Sequence, residues 1–435
     1  MLVNAGIFTA VLGAACTLVS AHPHAHKTRS ALPGDWVQSE DHPVYELFRR
    51  TNLNKRQSNS TANSTSGIPA VGSSAWTALY PQGSADTSNL PAAWTNALNA
   101  AVAAGQIPNV PQSSLVNGNP TYPNGANSQD ESICSGNGGG PGSCRTNGSI
   151  WDAPDGMVAI GFDDGPTQFS PTLYTFLQQN NQKATHFMIG VNILNNWQAF
   201  LTAFNTNGDD IAVHTWTHPY MTTLSNIQVL GELAMTMQII HDSTGGKLPR
   251  FWRPPYGDID NRVNAIAQTV LGLTAIIWNH DTEDWAIPSG GQTLDGVNNN
   301  MQQWLTGPKS PGLIILEHEL YQQTVQAFMT NYPLMAQNGW KTVSTVVTTN
   351  QTTYQNGTLV AGDSDNAFSV SVSTTSTSSS AASSSTASTN STATGSGSSA
   401  EASGKSAAVL RAQTPSMRVM TAVFGVVAAF ACASL

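Results

Sequence analysis

Ile160-Gly161-Phe162-Asp163-Asp164-Gly165-Pro166 reads as the end of a buried strand, Met157 to Phe162, that stops on two adjacent carboxylates. Gly165-Pro166 then turns the chain, and a helical pattern begins after Thr167. Neighbouring side chains on an extended strand point to opposite faces. At a strand end the backbone twists, so one carboxylate can face a cation while the other stays free to take a proton. An Asp-Asp-Gly run is also an ordinary solvated turn, and the choice between the two readings depends on the rest of the chain.

Outward from this point the pattern is regular. Apolar runs occur at 157–162, 184–189, 210–214, 250–253, 274–278, 312–316 and 341–347, with helical stretches at 171–179, 225–241, 261–271, 296–305 and 324–337 between them. Such alternation implies an α/β fold with a parallel sheet. With seven strands we expect a distorted (β/α) barrel rather than an open sheet. Barrel chemistry gathers at the C-terminal strand ends, so reactive residues should fall just after the apolar runs.

They do. The third run is followed by His214-Thr215-Trp216-Thr217-His218. Histidines at i and i+4 share one face of a helical turn and can meet one cation together with Asp164. Two histidines and a carboxylate leave a position for water, as in hydrolytic zinc sites. A lone H-x3-H pair is more often structural, and it gains meaning here from the Asp-Asp strand end. After the fourth run comes Arg253-Pro254-Pro255-Tyr256-Gly257: two prolines remove donors and place the Tyr256 N–H where it can stabilise an oxyanion, and Arg253 can hold a carboxylate. Asp281-Thr282-Glu283-Asp284-Trp285 follows the fifth run, and Leu316-Glu317-His318-Glu319 ends the sixth. His318 is a candidate general acid, and Trp285 offers a flat face for a sugar ring. Read singly, these are an acidic loop and a buried histidine; read together, they form clusters at four strand ends.

This ordered set resembles the five motifs of polysaccharide deacetylases, the NodB-homology domains of carbohydrate esterase family four, and looks most like the fungal chitin deacetylases. The resemblance covers about Trp151 to Val347. It implies Asp163 as general base, oriented by Arg253, and Asp164, His214 and His218 as ligands of Zn2+, with Co2+ or another divalent cation as substitute. It also implies the Tyr256 N–H as oxyanion donor, Asp284 tuning His318 as general acid, and Trp285 and Leu316 shaping an acetyl pocket. The implied reaction is hydrolysis of N-acetyl groups in chitin or chito-oligosaccharides, giving acetate and chitosan. Gly161 stands where the family often has Thr, Asp210 where Glu is frequent, His186 where an aromatic is usual, and Glu319 where Asp commonly follows the histidine. These departures bear on substrate preference rather than chemistry; His186 is read as a core histidine. Two other functions fit the same pattern less well: an O-deacetylase of acetylated xylan or another glycan, and a non-catalytic wall-binding protein.

The remainder of the 435 residues reads as secretory. Only 10% of residues are charged and the formal net charge is −9, which argues against a nucleic-acid partner. Residues 1–21 have the pattern of a signal peptide, and 22–56 read as a His-rich, discarded pro-segment ending at Lys55-Arg56. Residues 57–150 form an extension with helical patterns at 74–79 and 91–104. The catalytic domain spans 151–350. With both ends removed, Cys134 and Cys144 remain and are expected to pair in an oxidising compartment. Sequons stand at Asn59, Asn63, Asn147, Asn350, Asn356 and Asn390. Residues 351–404 read as a glycosylated Ser/Thr linker, and 405–435 as a GPI-attachment signal with the anchor at Gly404 or Ser406. The expected location is the outer face of the plasma membrane or the cell wall. No protein partner is read from the sequence.

Overall fold

Strands buried on both faces lose the alternation of polar and apolar side chains. The run from Val158 to Gly165 shows this, since every residue in it is buried. The computed structural model describes residues 43–48 and 68–355. In chain order these form α1 (Pro43–Phe48), α2 (Ser74–Thr77), α3 (Ala92–Ala103) and a hairpin of β1 (Ser114–Val116) and β2 (Asn119–Thr121). Strand and helix then alternate: β3 (Met157–Gly165), α4 (Ser170–Gln179), β4 (Thr185–Met188), α5 (Gly190–Asn195), α6 (Trp197–Leu201), β5 (Asp210–Val213), α7 (Asn226–Ser243) and β6 (Phe251–Trp252). After these come α8 (Asn261–Ala265), β7 (Thr274–Ala275), β8 (His280–Asp281), α9 (Leu294–Leu305), β9 (Leu313–Leu316), α10 (Gln322–Gln337) and β10 (Lys341–Ser344).

The main sheet is parallel, in the order β7-β6-β5-β4-β3-β9-β8, with β10 also paired to β3. β3 changes partner along its length: β10 lies beside 157–160, and β4 beside its carboxylate end. The sheet curls into a distorted barrel. Its seam is bridged where Ile150 pairs with Ile276 and Ala153 with Gly312. All seven expected strands are present; the two-residue β8 and the β1–β2 hairpin are additions. Helices cover the sheet through apolar faces such as Val297, Met301 and Leu305 of α9, at i, i+4 and i+8.

Several expectations change. The helix expected at 261–271 is α8 followed by a π-helical turn, Ile266–Val270. The linker expected from residue 351 begins later, because Tyr354 and Gln355 are fully buried and Tyr354 bridges to Pro249. The extension belongs to the core: Trp76, Trp94 and Leu98 join the same apolar cluster as the sheet. Part of the expected pro-segment also packs on the core, since Val44 and Phe48 of α1 are buried and the Trp94 indole donates to the Leu47 carbonyl. Cys134 and Cys144 form a disulfide. Asn147 and Asn350 are exposed. The signal peptide, the Lys55-Arg56 site, Asn59, Asn63, Asn356, Asn390, Gly404, Ser406 and the apolar tail lie outside the described residues.

Candidate active site

At the end of β3 the register against β4 shifts between Asp163 and Gly165, and Asp164 adopts φ +70°. This breaks the strand's alternation and brings both carboxylates near His214, whose Nε2 lies 3.8 Å from Asp163 Oδ2 and 3.3 Å from Asp164 Oδ1. The bend is held from outside, with the Asn192 amide donating to the Asp164 carbonyl at 2.8 Å and Asn196 to the Pro166 carbonyl at 3.0 Å. Gly165 is required there, because a Cβ would stand 2.0 Å from the Glu319 carboxylate.

His214 and His218 do not share a helical turn, contrary to the sequence expectation. The segment is an irregular bend in which Thr215 and His218 take φ +64° and +62°. Glu232 of α7 shapes it: its carboxylate accepts the N–H groups of Trp216 at 2.9 Å and Thr217 at 2.7 Å, and the Thr217 hydroxyl at 2.7 Å. His218 Nε2 then lies 3.2 Å from Asp164 Oδ1.

Neither imidazole meets that oxygen in hydrogen-bond geometry, and Asp164 Oδ1 is buried without a hydrogen-bond partner. Asp164, His214 and His218 offer ligand atoms all within 4.8 Å of one another. Adjacent ligands of a tetrahedral zinc ion with bonds of about 2.0–2.1 Å stand about 3.3 Å apart, so the spacing fits a metal. His214 Nδ1 lies 2.7 Å from the Arg253 carbonyl, which fixes the tautomer with Nε2 as the ligand atom. Burial pushes His218 down to about 4, leaving it neutral and able to ligate. Burial raises Asp164, but His214, His218 and His318 outweigh it and hold the carboxyl below its usual range.

Arg253 is fully buried at the end of β6. Its Nη1 donates to Asp163 Oδ1 at 2.7 Å and its Nε to the Ile276 carbonyl at 3.0 Å, while the guanidinium stacks 4.0 Å over Phe187. One Asp163 oxygen is thereby tied down and Oδ2 is left on the histidine side. Beyond β8, Asp284 grips His318 twice, accepting its backbone N–H at 3.0 Å and meeting Nδ1 at 2.6 Å. Burial opposes the charged imidazole, yet the Asp284 carboxylate raises His318 to about 10. Its Nε2 has no protein hydrogen bond among the described residues. Leu316 is buried, whereas Trp285 is 51% and Tyr256 43% exposed. Tyr256 takes φ +58°, and its ring stacks on Tyr220 at 4.0 Å. His186 is buried, as expected, between Glu319 and Asp209.

Glu232, Asn192 and Tyr220 were not singled out in the sequence. Glu232 had a signal, being a lone acid inside the apolar run Val229 to Ala234. Asn192 and Asn196 carried only their i, i+4 spacing.

A model of the polysaccharide deacetylase family matches residues 152–276. Chitin deacetylase 3 of Cryptococcus neoformans var. neoformans serotype D (strain JEC21) is 42% identical over 316 residues, covering 71% of each chain. Chitin deacetylase 2 of Saccharomyces cerevisiae is 34% identical over 166 residues, 38% of this chain and 50% of that one. Among solved structures, the chitin deacetylase of Colletotrichum lindemuthianum is 25% identical with a TM-score of 0.43, covering 47% of this chain and 92% of the other.

Proposed function

The chain belongs to the polysaccharide deacetylase family, and on that premise we propose that it hydrolyses the N-acetyl groups of N-acetylglucosamine residues in chitin. The observation that carries the reading is the pair of neighbouring carboxylates with divided roles: Asp163 tied to Arg253, Asp164 turned toward two histidines. Asp164, His214 and His218 would hold a divalent cation, Zn2+ by the character of this donor set or Co2+ in its place, and when bound it would supply Lewis acidity and acidify water.

Asp163 Oδ2 takes a proton from the attacking water as its oxygen bonds to the acetyl carbon. The Tyr256 backbone N–H donates to the developing oxyanion. His318 is protonated at neutral pH, because its pKa is raised to about 10. It passes the Nε2 proton to the departing nitrogen as the C–N bond breaks. Acetate and a free amine result, and chitin becomes chitosan. Trp285 and Leu316 line the acetyl end of the site. Arg253 and Asp284 act through Asp163 and His318 and position them.

The test is acetate release from chitin oligomers, with acetylated xylan in parallel, before and after chelation and Zn2+ return. Metal-dependent release from chitin oligomers, lost in Asp163→Asn, is expected. Release from xylan alone would assign the chain to O-acetyl esters, and release from neither would leave a wall-binding protein. We also infer secretion and GPI anchoring from the two terminal segments. Release of cell-bound protein by a phosphatidylinositol-specific phospholipase is the expected result, and retention on the membrane would reject the anchor.

A further inference from the structure

The disulfide loop of the extension lies before the residues matched by the family model, yet it is fastened to the turn that carries Tyr256. Gly138 N–H donates to the Tyr256 carbonyl at 2.8 Å, Gly136 N–H to the Ile259 carbonyl at 2.8 Å, and Gly140 N–H to the Trp278 carbonyl at 3.3 Å. In return Asn261 N–H donates to the Ile133 carbonyl at 3.0 Å, and the Tyr122 hydroxyl reaches Asp260 Oδ2 at 3.0 Å. The approach is backbone against backbone. A Cβ on Gly257 would stand 2.7 Å from the Gly139 nitrogen, and one on Gly139 would stand 2.3 Å from the Trp278 ring. The Cys134–Cys144 bond closes the loop at its base. Just before β1, Ser113 N–H donates to the Thr222 carbonyl at 3.0 Å, two residues beyond Tyr220.

What is held is a turn that needs holding. Tyr256 and Gly257 both sit at positive φ, +58° and +64°. A non-glycine residue there is strained and persists only where its surroundings over-determine it. The loop's partners reach the other side of the site as well. Trp278, against which Gly139 packs, lies 5.9 Å from the Arg253 guanidinium, and Arg253 Nη2 donates to the neighbouring Ile277 carbonyl.

We propose that the Cys134–Cys144 loop, through Gly138 and Gly139, is a positioning element that holds the Tyr256 peptide in its working orientation. The inference rests on the functional reading above, in which the Tyr256 N–H serves the oxyanion. It gives the extension a part in the reaction through its backbone bonds to the turn. Reactions of this kind lose about 100-fold from a misplacement of about 1 Å.

Two variants test it in the full chain: Cys134→Ser/Cys144→Ser, which opens the loop, and Gly139→Ala, which keeps the disulfide but pushes the loop off Trp278. Each is assayed for kcat and KM on a chitin oligomer and titrated with Zn2+ alone, which reads Asp164, His214 and His218 and not the loop. The expected result in both is a fall in kcat of about 10- to 100-fold, with KM and Zn2+ affinity within about twofold of the parent. Parent-like kcat in both variants would overturn the proposal. So would a kcat loss accompanied by loss of Zn2+ affinity or of folded protein, which would make the loop a general support of the sheet. A parent chain that releases no acetate would reject the functional reading instead.

Discussion

His318 and His186 are both buried imidazoles pushed toward the cation, and they differ in what their ring nitrogens meet. Burial disfavours the cation in both, neighbouring carboxylates overcome it, and both are raised to about 10. His318 spends only Nδ1, on Asp284. His186 spends both nitrogens, Nδ1 on Glu319 Oε1 at 2.9 Å and Nε2 on Asp209 Oδ2 at 3.3 Å, with Phe162 and Tyr174 packed against its ring. A raised pKa therefore does not by itself single out the proposed acid; what sets His318 apart from His186 is the ring nitrogen without a protein partner among the described residues. The two sites meet at consecutive residues, since Glu319 follows His318 and its N–H donates to the Asp163 carbonyl at 3.1 Å. One turn of chain thus carries the proposed acid and the end of the sealed cluster.

The largest effect separates them by activity. His318→Ala removes the proposed proton donor and is expected to lower kcat by about 100- to 10,000-fold, with Zn2+ binding retained because His318 is not in the ligand group. Steady-state kinetics and a Zn2+ titration check this. An equal loss from His186→Phe at unchanged stability would break the comparison.

The next effect is on stability. His186→Phe leaves buried carboxylates without their cation, and breaking such a pair costs about 3–5 kcal/mol. Denaturant unfolding should show that loss, and Glu319→Gln in the same chain should recover part of it. The pH dependence follows in sign. The folded pKa of His186 lies above its unfolded value, so its contribution is fully present below about pH 6.5 and fades as pH rises through about 10. The parent should lose stability across that window, and the Phe variant should lose less.

A smaller change tests why His318 is charged. Asp284→Asn keeps the shape but removes the carboxylate, so burial prevails and the imidazole pKa falls. The alkaline limb of the kcat–pH profile, expected near 10 in the parent from the raised His318, should move down by more than one pH unit. A limb that stays put would mean that another group sets it.

The sequence showed β3 and β9 as buried on both faces because their apolar runs are unbroken. It hid β8, whose two residues are His280 and Asp281. The β1–β2 hairpin was missed despite a signal: Asn117-Gly118 between the two strands is the favoured two-residue turn. At the site, residue types and spacing named the ligand group, and the family resemblance named the His318–Asp284 pair. They did not show how the chain brings those groups together. Asp164, Thr215, His218 and Tyr256 all take positive φ without being glycine, and no residue type advertises that. The bonds that hold these bends come from Asn192, Glu232 and Gly138, distant in sequence from what they hold.

The smallest effect contrasts two adjacent residues. Asp284 is buried and faces His318; Trp285 is half-exposed at the start of the same 3-10 turn, Asp284–Ser289. If the cleft beside His318 is where a sugar binds, Trp285 contributes stacking and Asp284 contributes charge, and their variants should part in kind. Trp285→Ala is expected to raise KM about 3- to 10-fold, the loss of one aromatic contact, with kcat and the alkaline limb unchanged. A fall in kcat instead would place Trp285 in the support of His318 rather than of the sugar. The open histidine would then depend on its surroundings as heavily as the sealed one does.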